Sequence, residues 1–444
     1  MRNFWKIVPQ GSLVLIGTTA ASYALGLMRD RTFAHTFGAS RALDAYNAAF
    51  VLPDFLLNVF VASGIAAAFV PIFTELFRQD RSKATQYANT CLTTAGASMA
   101  IAGIILIVFA RPLSFLAAPG FDATSRTTLV GLLRVLAVSP IIFAASNALG
   151  AMLISQRRFF FYGLSPILYN LGIMLGTILL APHFGIMGTA LGTLGGALLH
   201  LTIRAVDAAR AGFRFKLSFT IFTPEFRNTL ALMLPKMFGH PVELATFWGF
   251  TALASGLAPG SVAILNFARN FQSVPVSLVG IAIATATFPI LAEAYSLNAM
   301  GHFRTVLKGA FWLIFITTWV MAVITLIVKQ PLIQTIFGGG TFGPQEVIRT
   351  ASLLGVFALV MPTESLVHIL ARAFYATKNT AIPVVVSILG FCISLGGAWF
   401  LIPRFDILAI PFAFFIASAL EVIILMTLLS RRIRRLSSRK SLVS

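Results

Sequence analysis

The chain has 444 residues, 58% of them hydrophobic and only 11% charged, with a mean hydropathy of +0.89. A soluble chain carries about 25% charged residues, so this composition excludes a large water-soluble core and requires apolar helices that face lipid. The net charge of +19 would suit a nucleic-acid binder, but its distribution along the chain assigns it to membrane topology.

In chain order, Arg2 and Lys6 precede a first apolar run that lacks a small-residue cleavage site, so it reads as a retained helix at about 10–29. Further spans are predicted at roughly 45–74, 86–110, 127–154, 160–181, 184–203, 228–255, 261–292, 309–328, 347–375, 380–402 and 407–430. Together they predict an all-α, polytopic membrane protein of about twelve transmembrane helices. Several runs exceed the ~20 residues needed to cross and so must tilt, kink or protrude. Pro53, Pro235, Pro275 and Pro362 fall in mid-helix, where freed carbonyls are tolerated beside a cavity or a neighbouring helix. Asp54 and Asn58, four residues apart, share one helix face.

With a cytoplasmic N-terminus, 21 basic residues fall on inside segments and seven on outside segments. That bias predicts both termini in the cytoplasm. The tail carries Arg431, Arg432, Arg434, Arg435, Arg439 and Lys440, placed to face anionic membrane lipids. The longest inside loop divides the chain into a first six-helix lobe (1–205), a linker (206–227), a second lobe (228–430) and a basic tail (431–444).

The two halves echo each other. GIAAAFVPIFTE (64–75) and GIAIATATFPILAE (280–293) align Pro71 with Pro289 and Glu75 with Glu293. Arg157-Arg158 followed by Pro166 parallels Lys378 followed by Pro383. Parallel repeats of this kind place a substrate path between the halves.

Ionisable residues within apolar runs are functional candidates because burying them costs at least ~2.5–3.5 kcal/mol. The basic set is Arg29, Arg134, Lys236, Arg269 and Arg372. The acidic set is Asp54, Glu243, Glu364 and Glu421, with Asp30 and Asp44 at helix edges. Arg372 and Glu421 read as static interhelical residues, and Arg29, Lys236 and Arg269 as functional ones. Cys91 and Cys392 each lie in an apolar run and make no disulfide framework. Gly338-Gly339-Gly340 precedes Thr341-Phe342, which is not a phosphate-binding loop. No hydrolase or metal motif stands out, so no enzyme activity, cofactor or metal is expected.

Several segments in order resemble the MurJ/MviN lipid II flippases: SYALGLMRDRTFAHTFGASRALD (22–44), LPDFLLN, RRFFFYGLSPILYN, LMLPK, NFARNFQSVPVSLVGIAIATATFPILAE, FGGGTF and RAFYATKNTAIPV. The resemblance covers about residues 8–430 and implies two six-helix lobes around a central cavity. It also implies alternating-access transport of an undecaprenyl-pyrophosphate-linked peptidoglycan precursor across the bacterial inner membrane. The implied partner is thus a lipid-linked anionic glycan, which an arginine fork suits; the residues do not identify a coupling cation. Arg29 and Asp30 match the family's Arg-Asp, and Asp44 its later Asp. Tyr23 and Leu57 stand where family arginines often occur, with Asn58 beside Leu57. Asn270 stands at another such position, with Arg269 one residue early and Ser273 in place of a Glu. The substrate-binding candidates are therefore Arg29, Asp30, Asp44, Asp54, Asn58, Lys236, Arg269 and Asn270. The alternatives are an exporter of another polyprenyl-linked glycan or of drugs in the same fold, a polytopic membrane enzyme, and a scaffold protein.

Overall fold

Apolar runs separated by glycine, proline and capping residues fold into helices almost throughout. The computed structural model describes residues 10–239 and 241–438, without the side chains of 10–13, 16, 62–67, 234–239, 241 and 436–438. The helices are α1 (Gln10–Phe37), α2 (Arg41–Leu57), α3 (Ser63–Gln79), α4 (Arg81–Val108), α5 (Ala110–Ala117), α6 (Ala123–Leu136), α7 (Ser139–Ser155), α8 (Phe159–Leu175), α9 (Ala181–Phe184) and α10 (Ile186–Arg210). They continue with α11 (Pro224–Gly239), α12 (Pro241–Ser255), α13 (Ser261–Pro275), α14 (Ala282–Ser296), α15 (Met300–Phe337), α16 (Pro344–Ala376), α17 (Ala381–Phe405) and α18 (Ala409–Ser438).

Among the described residues, eight helical runs are long and apolar enough to cross a membrane. They take in nine of the twelve predicted spans, because α17 and α18 form one run joined through Asp406–Leu408. The other three predicted spans correspond to α1, to α2 with α3, and to α11 with α12.

The starts of the helices are written locally. Ser40, Asp80 and Asp122 each accept a hydrogen bond from a main-chain N–H in the following turn, as N-caps do.

The internal echo extends to backbone geometry. Pro53 lies shortly before a π-helical stretch at Asn58–Ala62, and Pro275 directly precedes another at Val276–Ile281. Each stretch adjoins the repeated Gly-Ile-Ala motif, and π-bulges of this kind frequently mark functional sites. The basic turns match as well. Arg157 and Lys378 have φ of 59° and 57°. The N–H of Arg158 donates to Leu153 O and that of Asn379 to Phe374 O, the same C-terminal closure in both halves.

By internal contacts the chain divides after Leu244. α11 packs on α3 and α4 of the first unit. In the first unit α10 packs on α7 and α8, α1 on α8, and α4 on α7. Glycines set the closest approach. A side chain on Gly192 would meet Gly172 O at 2.9 Å and Gly176 N at 3.0 Å, so α8 and α10 touch through their backbones, as G-x-x-x-G faces allow. In the second unit α16 is central, packed against α13, α14, α15 and α18.

Candidate functional site

In the first unit a polar group gathers around Arg29. Arg29 and Asp30 are chain neighbours on α1, and the guanidinium folds back to donate through Nε (3.1 Å) and Nη2 (2.8 Å) to Asp30 Oδ1. Its Nη1 donates to Asn170 Oδ1 on α8 at 3.2 Å. The Arg29 side chain keeps 25% of its surface exposed, whereas Asp30 keeps 5%. The carboxylate is thus an anchor, and the guanidinium retains accessible surface. Asn170 is oriented in turn, since its Nδ2 donates to Pro166 O at 3.1 Å and Ser22 O at 3.5 Å. Close contact of Gly163 with Thr18 lets α8 approach α1 there.

Tyr46 of α2 closes this group from another side. Its hydroxyl shares a 2.7 Å hydrogen bond with Thr193 of α10, and its ring meets Phe33 and Phe50 edge-on. Tyr46 and Tyr169 both lie within coulombic range of Arg29 and Asp54. Asp54 itself is exposed. Asn58 donates through Nδ2 to Asp54 O at 2.9 Å, so it ties down a carbonyl where the helix widens into its π-helical stretch.

Asp44 is placed differently. It is fully buried and pairs with Arg41 at 3.6 Å, one turn into α2, where a carboxylate also favours the positive end of the helix. Arg41 stacks over Phe121. Asp44 is thus tied to Arg41 within the first turn of α2.

In the second unit Arg269 of α13 lies over the Phe247 ring of α12, with Cζ 3.1 Å from the centroid. Phe247 packs on Phe250 and Phe414. Asn270 is half-buried, and its carbonyl accepts from Ser273 Oγ at 2.9 Å. Lys236 lies on α11, with its side chain outside the described residues.

Other polar residues gain weight from their packing. Gln272, 1% exposed, donates to Glu364 of α16. Glu421 of α18 lies against Gly390 and within coulombic range of Glu364, and Thr363 bonds Ser418 at 2.6 Å. Arg372 donates to Thr285 Oγ1 at 2.9 Å, the interhelical tie its sequence context suggests.

Arg204, near the end of α10, is buried. It donates to Ser165 Oγ (2.8 Å) and Ser146 O (2.9 Å) and stacks on Tyr162. Residues 204–210 of α10 read RAVDAAR, a charged helix end that gives no signal of which arginine is buried.

Residues 33–444 match the model of the family described as Lipid II flippase MurJ. The chain belongs to the MurJ family. A probable lipid II flippase MurJ of Haemophilus influenzae is 28% identical over 454 residues, covering 96% of this chain and 87% of that protein. One of Borreliella burgdorferi is 27% identical over 398 residues, covering 88% and 78%. Among solved structures, a lipid II flippase MurJ in an inward closed conformation superposes with a TM-score of 0.81 at 21% identity, covering 96% of this chain and 90% of that one. An inward-facing MATE-family multidrug transporter gives 0.77 at 14% identity, covering 94% and 95%. These structures share the fold of this MurJ-family chain, an all-α transporter architecture.

Proposed function

We propose that this protein translocates lipid II, the undecaprenyl-pyrophosphate-linked peptidoglycan precursor, across the bacterial cytoplasmic membrane by alternating access, with both termini in the cytoplasm and no covalent chemistry of its own. The observation that carries the reading is Arg29. It is a guanidinium held among membrane helices by Asp30 and Asn170, with accessible surface left over. An arginine in such a place is costly unless it has a task. Its planar donor fork suits a pyrophosphate, and Asp30 neutralises it between cargoes. Membership of the MurJ family supports the same cargo. Arg269 and Lys236, the latter on α11 of the first unit, are the further cations proposed to contact it, with Asp54, Asn58 and Asn270 as polar contacts.

A host depleted of its own precursor flippase provides the test. Expression of this chain should restore growth and the appearance of lipid-linked precursor on the periplasmic side. Failure of a well-expressed, membrane-inserted chain to do so overturns the proposal. Rescue of drug tolerance without rescue of growth would favour the multidrug-exporter alternative.

A further inference from the structure

Between α10 and α11 the chain runs outside any helix or strand from Phe213 to Thr220. Backbone groups outside helices and sheets need partners, and polar side chains of α4 supply several. Asn89, only 3% exposed, uses both ends of its amide. Its Nδ2 donates to Arg214 O at 3.2 Å and its Oδ1 accepts from Lys216 N at 3.1 Å. Bonding the C=O of one residue and the N–H two residues on is how a neighbouring strand would pair. Thr93 Oγ1 accepts from Ser218 N at 3.2 Å, and Thr90 Oγ1 bonds the Ser218 and Thr220 hydroxyls. The segment is therefore strapped to α4 by its polar side.

Its other side is apolar and uncovered. Phe215, Leu217, Phe219 and Phe222 are 54–87% exposed. Interleaved with them are exposed Arg214 and Lys216, flanked by Arg210 and Arg227. Apolar side chains alternating with cations suit the boundary between acyl chains and anionic headgroups.

A groove opens beside the strap. Thr94, Ile221, Phe222, Phe226, Arg227 and Leu230 line a cavity of about 600 Å³. Thr94, Phe226 and Leu230 also line a second, neighbouring cavity of about 190 Å³ that reaches Phe69, Cys91 and Met233. Among the described residues, Arg227, itself exposed, is the one charged residue in either lining.

We propose that this groove holds one anionic phospholipid of the surrounding leaflet. An acyl chain runs past Phe226 and Thr94 toward Cys91, the phosphate meets Arg227, and the strap lies in the headgroup boundary. An apolar channel that carries one cation in its wider part complements an amphiphile with an anionic head. The proposal concerns the first unit alone and does not depend on what the protein transports.

Cys91 is a built-in reporter. In full-length protein carrying Cys392→Ser, Cys91 is the only thiol. Its alkylation by an apolar maleimide is followed in detergent while short-chain phosphatidylglycerol or phosphatidylcholine is titrated, with bound lipid counted by native mass spectrometry. Phosphatidylglycerol should slow alkylation and bind one per chain, and phosphatidylcholine should do neither at equal concentration. Arg227→Gln should weaken the protection about fivefold, the effect of one basic residue at an anionic leaflet, whereas Arg227→Lys should retain it. Melting temperatures of both variants identify any loss of folding, and the Lys variant then decides. Equal protection by both lipids, or undiminished protection in folded Arg227→Gln, overturns the proposal. So does protection by undecaprenyl phosphate without protection by phosphatidylglycerol, which would assign the groove to a polyprenyl carrier. Concentration-dependent protection with no lipid added would assign it to a second copy of the chain and overturn the proposal equally.

Discussion

Arg29 and Asn170 stand 141 residues apart in the chain and 3.2 Å apart in space, with the arginine donating to the amide oxygen. The contact joins α1 to α8 and fixes the direction in which the guanidinium points. Asn170 is neutral, so it orients Arg29 without adding to the charge that Asp30 already cancels. Replacing it with a second carboxylate should therefore be worse than deleting it. We expect Arg29→Ala to abolish complementation of a flippase-depleted host. Asn170→Asp should impair it more than Asn170→Ala, because the added anion competes with cargo phosphate. Loss of a hydrogen bond to a charged group is worth roughly 1.5–3 kcal/mol, which sets the scale for Asn170→Ala in a thermal-shift assay. Wild-type growth with Arg29→Ala at equal expression would remove Arg29 from the mechanism.

Arg158, at the turn before α8, pairs with Asp207 near the end of α10. Asp207 is 1% exposed in its side chain and Arg158 37%. Hydrogen bonding to Asp207 raises the Arg158 guanidinium further above its already high value, so Arg158 stays charged throughout the working pH range. Removing Arg158 strands a buried carboxylate. Breaking a fully buried pair costs about 3–5 kcal/mol, and solvent screening of the half-exposed arginine reduces the expectation to about 1–3 kcal/mol. Arg158→Ala should lower the melting temperature clearly, and Arg158→Ala/Asp207→Asn should recover part of the loss. An additive double mutant would show that the two residues do not act as a pair.

The α8–α10 contact yields an internally controlled experiment. Gly192→Ala should destabilise the protein by about 1–3 kcal/mol, as overpacking does, because its added carbon meets backbone atoms that cannot rotate away. Gly195→Ala, three residues along the same helix, has nothing within 4 Å and should be neutral or slightly stabilising. Similar melting temperatures for the two variants would mean that the helices are not in backbone contact.

Asp122 caps α6, accepting from Ser125 N at 3.2 Å. Hydrogen bonds from Ser125, hydroxyl first, hold its carboxyl below the ordinary value. Because the folded value is depressed, the cap's contribution is fully present above the unfolded carboxyl value, about 3.9. It is lost as pH falls through the lower, folded value. Near neutral pH, Asp122→Ala should speed amide exchange at Ser125 and Arg126, while Asp122→Asn should protect them nearly as well as wild type. Unchanged exchange in the Ala variant would show that the cap contributes nothing.

The excess of basic residues on one set of loops makes topology directly measurable. In a cysteine-free background, single cysteines in the 431–438 region and at Gly339 should differ in labelling by an impermeant thiol reagent on intact cells. Gly339 should label and the tail should not. The reverse pattern would invert the protein.

What the sequence determined by itself is what chain neighbours decide. Apolar length identified the helices, and the Pro and Gly-Ile-Ala echoes marked matching segments of the two halves. Arg157 and Lys378 were readable as matching turns because a helix closure is local. Arg29 with Asp30 was readable for the same reason, since the partners are adjacent. Asn170 as the second partner of Arg29, Asp44 turned inward onto Arg41, Arg204 buried on α10 and the strap on α4 were decided by tertiary structure alone. In a soluble helix an apolar stripe announces which side is buried. In these helices both the lipid-facing and the packed sides are apolar, so the sequence leaves rotation about each axis open. Close packing of small residues then selects it. That rotation decides which distant polar side chains meet, and hence where the candidate site lies.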